Sequence, residues 1–251
     1  MGNEPSVNKV RIKVLNVPID IVTPEQLGPL VYELLAVKEP QNIVLLSLWD
    51  LLRARRNSEY RGFVQRSALV IPISKSLISG ARFLTNKKPV RYMPFDFVIN
   101  LLTILESRNF SVYLLGGKRK ILLKTEKNIS QTFPRLRIVG RFIGAFKRQE
   151  EADILEAIRK ASPSLLLTGK GLRGGELWIA RNSSKIGNGL RLWCSDLFDV
   201  FAEKKKRPSR AAFDRGLEGI GYCIQRPYKF FRFFLYIYYK ILLLIFKIFS
   251  L

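Results

Sequence analysis

Residues Leu165 to Arg181 read Leu-Leu-Leu-Thr-Gly-Lys-Gly-Leu-Arg-Gly-Gly-Glu-Leu-Trp-Ile-Ala-Arg. A short apolar run enters glycines at 169, 171, 174 and 175, and from Glu176 the pattern turns apolar and periodic, which predicts buried strand, loop and helix in that order. Such a turn has the shape of a ligand site. Glycines let the backbone approach a phosphate, and the following helix points free N–H groups and its positive dipole end the same way. Without a complete fingerprint the same turn also serves as a plain tight connection.

The segment upstream repeats the theme. Ser111 to Leu115 is a predicted strand, Gly116-Gly117 a turn and Lys118 to Thr132 a helix; Leu136 to Gly140 is the next strand and Glu150 to Ala161 an acidic-started helix. Further back, Val10 to Asp20 alternates and then meets Pro18, as in an edge strand or hairpin arm. Thr23, Pro24 and Gln26 form a helix start ahead of Leu27, Leu30, Val31, Leu34 and Leu35. Asn42 to Leu48 and Ala68 to Pro72 read as buried strands, and Leu77 to Leu84 and Phe95 to Leu105 as helices, with a basic helical stretch around Arg53, Arg55 and Arg56. Strands alternating with helices imply βαβ units, an α/β fold with a mainly parallel sheet covered on both faces. Ligands then bind beyond the carboxyl ends of the strands, so Gly116, Gly117, Gly169 and Gly171 are expected along one crevice.

The composition removes whole classes of chemistry. The 251 residues contain no histidine, which excludes imidazole-based triads, H-E-x-x-H zinc sites and His phosphotransfer. Cys194 and Cys223 lack C-x-x-C spacing, so neither a disulfide framework nor a zinc site is indicated. Met1 to Lys13 holds no apolar core of signal-peptide length, so export by that route is not expected. A formal charge of +23 draws polyanions: nucleic acid, an anionic membrane surface or phosphorylated small molecules.

The charge gathers before an apolar tail. Lys204 to Arg207, Arg210, Arg215, Arg226, Lys229 and Arg232 lead into the aromatic and aliphatic run that ends at Phe249. That run approaches the roughly 20 residues of a spanning helix, yet Lys240 in its middle would cost about 3 kcal/mol. On a helix, Lys229, Lys240 and Lys247 fall within roughly 20° of one another, with Arg232 about 60° aside. A narrow cationic stripe on an apolar helix suits in-plane attachment to anionic lipid, with lysines snorkelling to phosphates. A spanning helix and burial in a protein partner are the alternatives. No nucleic-acid motif is visible, so nucleic acid is not an expected partner.

The segment from Phe110 to Arg232 resembles the WecG/TagA/CpsF family of bacterial glycosyltransferases. The motifs are Val112 to Gly117, Phe133-Pro134-Arg135-Leu136-Arg137-Ile138-Val139-Gly140, Gly144-Ala145-Phe146, Ser162-Pro163, Gly169-x-Gly171, Glu176 to Asn182, Phe198-Asp199, Lys206-Arg207, Gly216-Leu217-Glu218 and Pro227. The N-terminal half matches more loosely through Asn16 to Asp20, Ala54-Arg55-Arg56 and Asp96. The resemblance implies a Rossmann-like core over residues 1–207, in halves 1–109 and 110–207, and a membrane-docking appendage over 208–251. It implies inverting transfer of an N-acetylmannosamine-type sugar from a UDP-sugar to a polyprenyl-diphosphate-linked glycan in cell-envelope polysaccharide synthesis. The place would be the cytoplasmic face of the plasma membrane, held peripherally. No metal or other cofactor is required by the family pattern, and a homo-oligomer is left open.

Several family positions are altered. The family's Pro-Asp-Gly turn, whose Asp is the candidate base, is Pro72-Ile73-Ser74; the upstream asparagine is Ser47; of a Gly-x-Pro-Lys-Gln-Glu loop only Gly171 and Glu176 remain; and Gly219 and Tyr222 replace a Trp and an Arg. Isoleucine accepts no proton. Under an active enzyme, Gly116, Gly117, Gly169, Lys170, Gly171 and Arg173 are expected to hold the nucleotide-sugar, and Glu176, Asp96 or Asp199 to replace the base. Each carboxylate also has a plainer role as a helix-dipole partner, a cap or a partner of an arginine. Arg207 and Arg215 are candidates for a lipid diphosphate or for a solvated basic face, and Lys229, Arg232, Lys240 and Lys247 for the membrane. The other function class is a catalytically silent relative that serves as membrane-bound partner or regulator of an active transferase.

Overall fold

The computed structural model describes residues 9–207, 209–215 and 231–249. Strands β1 (Val10–Val14) and β2 (Val17–Ile21) form an antiparallel hairpin, turned at Leu15 and Asn16, both at positive φ. Helix α1 (Pro24–Ala36) starts as its sequence predicts, with the Thr23 N–H donating to the Gln26 side chain at 3.0 Å. Then come β3 (Pro40–Leu46), α2 (Leu48–Arg56), α3 (Ser58–Arg66), β4 (Leu69–Pro72), α4 (Lys75–Thr85) and α5 (Pro94–Ser107). The second half runs β5 (Ser111–Leu115), α6 (Arg119–Thr132), β6 (Arg137–Phe142), α7 (Glu151–Ala161), β7 (Leu165–Thr168), α8 (Glu176–Arg181), α9 (Ser183–Ile186), β8 (Gly189–Trp193) and α10 (Leu197–Phe201). Two further helices are described, α11 (Arg210–Arg215) and α12 (Phe231–Phe249).

Six strands make one parallel sheet in the order β4-β3-β8-β7-β5-β6. Alternate residues of each strand serve opposite faces. Ile43, Leu69, Ile71, Val112, Leu114, Leu165, Leu167, Leu190 and Leu192 pack under α1, α5, α6 and α10. On the other face Val44, Leu46 and Val70 meet the hairpin, α2, α3, α4 and α12, while Tyr113, Leu115 and Leu166 meet α7, α8 and α9. The expected α/β architecture, a Rossmann-like parallel sheet with helices on both faces, is therefore present.

Sequence periodicity alone did not identify β8, which lies between β3 and β7 in the middle of the sheet. Its five residues, Gly-Leu-Arg-Leu-Trp, centre on an arginine that is 1% exposed. Arg191 is tolerated there because its guanidinium donates to the Ser183 hydroxyl at 2.5 Å, the Ser183 carbonyl at 2.8 Å and the Gly187 carbonyl. Burial lowers its pKa to about 10, which leaves it charged at neutral pH. Such a side chain becomes a core residue only once those carbonyls surround it.

Candidate active site

A cleft of about 600 Å³ opens over the carboxyl ends of β4, β3 and β8, a volume suited to a small ligand. Ser47 at the end of β3, Ile73 and Ser74 after β4, and Cys194, Ser195 and Asp196 after β8 line it, as do Gly175 and Glu176 on the loop after β7. Phe95 at the start of α5 and Phe213 on α11 add aromatic walls; Arg53, Lys205, Lys206 and Arg207 add positive charge. Arg91 anchors α11 there: it donates to the Ile73 carbonyl at 3.0 Å and the Phe213 carbonyl at 2.6 Å, and lies 3.7 Å over the Phe213 ring.

Two carboxylates of the cleft are held in unusual settings. Ser47 caps α2: its hydroxyl accepts from the Asp50 N–H at 3.3 Å, and Asp50 accepts in return from the Ser47 N–H at 2.9 Å and from the Ser47 hydroxyl. Burial nonetheless raises the Asp50 pKa against those hydrogen bonds and the charge of Arg53. Glu176 opens α8 directly after Gly174 and Gly175, both at positive φ. The residue keeps some surface toward the cleft, but Oε2 is closed off from water without a hydrogen-bond partner. Behind it Tyr60 is wholly buried, its hydroxyl facing Glu176 outside hydrogen-bonding geometry, with Arg53 4.1 Å above its ring. Burial first, and then the negative charge of Asp50, push Glu176 up to about 7.

The third carboxylate, Asp196, behaves in the opposite way. Burial works against its charge, but the paired Lys205, with Lys170 3.7 Å away, holds its carboxyl below the usual range. Cys194 closes the cleft floor as an inert thiol: it donates to the Thr168 carbonyl at 3.0 Å, and burial raises its pKa far above neutrality.

The model of the Glycosyl transferase WecG/TagA/CpsF family matches residues 12–250. The chain belongs to that family. A curated relative from Bacillus subtilis (strain 168), an N-acetylglucosaminyldiphosphoundecaprenol N-acetyl-beta-D-mannosaminyltransferase, is 21% identical over 179 residues, 71% of this chain and 69% of the relative.

Within this WecG/TagA/CpsF chain, three positions flagged by comparison with family motifs converge. Ile73, Ser47 and Glu176, which the resemblance sets against the family's aspartate, asparagine and loop glutamate, all line the one cleft. Of the three carboxylates expected to replace the base, Glu176 alone is among the lining residues. Asp96 sits at the first turn of α5 and pairs with Arg207 at 3.7 Å, and Asp199 on α10 pairs with Lys170 at 3.5 Å and Lys204 at 4.0 Å. Asp50 was missed, although the Ser47-x-x-Asp50 cap directly after a buried strand was a signal that could have placed it.

The glycine loops are brought together as expected, but against one another. A Cβ on Gly116 would lie 2.6 Å from the Gly169 nitrogen, and one on Gly144 2.4 Å from the Lys170 carbonyl. Their amides are engaged: Gly116 donates to Phe142, Gly117 to Lys170, Gly169 to Leu115 and Lys170 to Ser195. None of Gly116, Gly117, Gly169, Lys170, Gly171 and Arg173 is among the residues lining the cleft, where Gly175 stands instead. Close backbone approach accounts for Gly116, Gly144 and Gly171, a positive φ for Gly117, and the Phe198 ring for Gly169.

Helix α12 lies on α4. Tyr239 and Leu243 are buried, the Tyr239 hydroxyl donates to the Ser76 carbonyl at 3.1 Å, and Gly80 makes room for that ring. Lys247 turns to α4 and donates to the Phe83 carbonyl at 3.1 Å, while Lys240 lies 5.6 Å over Tyr236. The apolar circumference expected around the lysine stripe is thus divided, one side buried in the protein and the other exposed at Ile237, Ile241, Leu244 and Ile248. Among the described residues no helix is long and apolar enough to cross a membrane. Arg215 ends α11, its carbonyl accepting from Lys75 at 3.2 Å. Lys229, Gly216 to Glu218, Gly219, Tyr222 and Pro227 lie outside the described residues, as does the side chain of Arg232.

Proposed function

We propose that the chain is an inverting, metal-independent transferase that moves an N-acetylmannosamine-type sugar from a UDP-sugar to a polyprenyl-diphosphate-linked acceptor. The observation that carries this is the enclosed, unpartnered carboxylate of Glu176 in the cleft over β4, β3 and β8. Glu176 takes the proton of the acceptor hydroxyl as its oxygen bonds to the anomeric carbon; the bond to the diphosphate breaks and its electron pair leaves with UDP. A base that titrates near neutrality suits this work. Lys206 and Arg207, which line the cleft, stabilise the charge of the departing diphosphate. The sugar, the lipid diphosphate and the leaving nucleotide come from the relative's name and from the family, and the +23 charge agrees with anionic substrates at an anionic surface.

The exposed apolar face of α12, bordered by Lys240, rests in the headgroup layer of the cytoplasmic leaflet and brings the cleft to its lipid-linked acceptor. A homo-oligomer is compatible with this arrangement. A catalytically silent relative is the second possibility, favoured by one observation: Ile73 lines the cleft where the family carries aspartate. The deciding experiment is transfer from UDP-N-acetylmannosamine to a polyprenyl-diphosphate N-acetylglucosamine acceptor in anionic nanodiscs. Turnover that falls by about 10²- to 10⁴-fold in Glu176→Gln supports the active enzyme. Donor binding without turnover in wild-type protein supports the silent one.

A further inference from the structure

A second groove, of about 590 Å³, lies between α4, α11 and the segment from Lys88 to Arg91 that leads toward α5. Helix α11 is shared between the two sites, since Phe213 lines both the cleft and the groove. Four cations line the groove, Lys75 and Arg82 from α4 and Lys88 and Arg91 from the segment before α5, against the single acid Asp214. Lys75 and Arg91 donate to the carbonyls of Arg215 and Phe213 and so hold α11, but a carbonyl carries no charge to offset theirs. The exposed side chains of Arg82 and Lys88 make no hydrogen bond or ion pair among the described residues. The hollow itself is apolar: Ile78, Pro89 and Phe213 are buried and Val90 is half-buried. Cations on a merely solvated face repel one another least when they spread apart. These four line one apolar hollow.

The groove also stands beside the tail helix. On α4, Ser76, Gly80 and Phe83 meet Tyr239, Leu243 and Lys247 of α12, whereas Lys75, Ser79 and Arg82 are turned roughly 100° round the helix toward the groove. An occupant of the groove therefore lies next to α12, which exposes Ile237, Ile241, Leu244 and Ile248. Cations over an apolar hollow, with an exposed apolar helix alongside, suit a ligand with one anionic head and long apolar chains. We propose that the groove binds the headgroup of an anionic phospholipid, with its phosphate between Arg82 and Lys88 and its acyl chains along α12. The arginine fork and the lysine ammonium both donate to phosphate oxygens, and Asp214 leaves the groove with net positive charge. The diphosphate of a lipid-linked acceptor has related chemistry, but its sugar must reach Glu176, which lines the cleft and not the groove. The course of the chains rests on the placement of α12 in the headgroup layer proposed above, whereas the headgroup site rests on the groove alone.

The test is native mass spectrometry of the full chain released from neutral detergent micelles titrated with phosphatidylglycerol or phosphatidylcholine. Wild type is compared with Arg82→Ser/Lys88→Ser, with Ser79→Trp and with the control Lys127→Ser/Lys185→Ser. The control removes two exposed lysines from α6 and α9, and so the same charge from elsewhere on the surface. Ser79→Trp fills the groove without changing its charge, and the Ser79 hydroxyl bonds only to the Ser76 carbonyl at 3.0 Å, so the fold should keep. Wild type and control should each retain one phosphatidylglycerol and no phosphatidylcholine. Retention should weaken by about 5-fold per cation, about 30-fold in the double variant, and be lost to a similar extent in Ser79→Trp. Equal retention in all four proteins, or a loss in the control as large as in the double variant, would overturn the proposal and leave diffuse surface charge. Displacement by an equal concentration of inorganic phosphate would assign the groove to a free anion, and displacement by farnesyl diphosphate to the acceptor; either would overturn the phospholipid. Because the lipid is counted in detergent, the result stands apart from the membrane placement of α12, which fails separately if Ile241→Asp sediments with anionic vesicles as wild type does.

Discussion

Replacing Glu176 by glutamine removes a charge that the fold opposes. In the unfolded chain this carboxyl loses its proton near 4.5; in the folded protein burial and Asp50 delay the loss to about 7. The folded state therefore binds the extra proton between those values. The stabilisation is complete below the unfolded value and is lost as pH rises through the folded one. At about 1.4 kcal/mol per pH unit, ionised Glu176 costs the wild type about 3 kcal/mol by pH 8 but less than about 1 kcal/mol at pH 5. Glutamine fills the same space without that charge. Urea unfolding followed by tryptophan fluorescence, in the same detergent at pH 5 and pH 8, should show the variant gaining about 2 kcal/mol on the wild type between the two conditions. Trp178 and Trp193 stand close enough to the site to report it. Stability curves that run parallel from pH 5 to pH 8 would mean that Glu176 titrates as an ordinary carboxylate, and the basis for naming it the base would be gone.

Other substitutions test the frame around the site. Gly80→Val should lift α12 from α4, because a Cβ there would come within 1.9 Å of the Tyr239 hydroxyl; faster limited proteolysis of the tail and a loss of about 1–3 kcal/mol are expected. Arg191→Met leaves the carbonyls of Ser183 and Gly187 without their donor in the middle of the sheet, and a loss of about 2–3 kcal/mol by denaturant unfolding should follow. Tyr60→Phe removes a buried hydroxyl that has no partner, so stability should be unchanged or higher by up to about 1 kcal/mol. A clear destabilisation would reveal a hydrogen bond to Glu176. Ile241→Asp on the outer face of α12 should reduce sedimentation with anionic vesicles several-fold while leaving the unfolding midpoint unchanged.

Local patterns carried most of the secondary structure. The strand at Leu165, the glycine turn, the Thr23 helix start and the amphipathic helices all follow from spacing and turn chemistry, which act between near neighbours and so are written in order along the chain. The α/β class followed from their alternation, and the exclusion of imidazole chemistry from a single absent residue type. The family motifs likewise drew attention to Ser47, Ile73 and Glu176 before any of them could be placed in space.

Tertiary structure decided what depends on contacts between distant segments. Arg191 reads as a surface residue until the carbonyls at 183 and 187 surround it, which is why the strand it centres was hidden. The glycines of two loops read as a phosphate cradle, and it is folding that sets Gly116 against Gly169 and leads the Gly117 amide to the Lys170 carbonyl. Helix periodicity gave α12 its lysine stripe, whereas which apolar side the protein would bury was set by Gly80 on α4. Asp50 and Glu176 are unremarkable acids in the sequence. Burial raises the proton affinity of both and the charge of Asp50 raises that of Glu176 further, and neither effect exists until β3 and β7 are packed into one sheet.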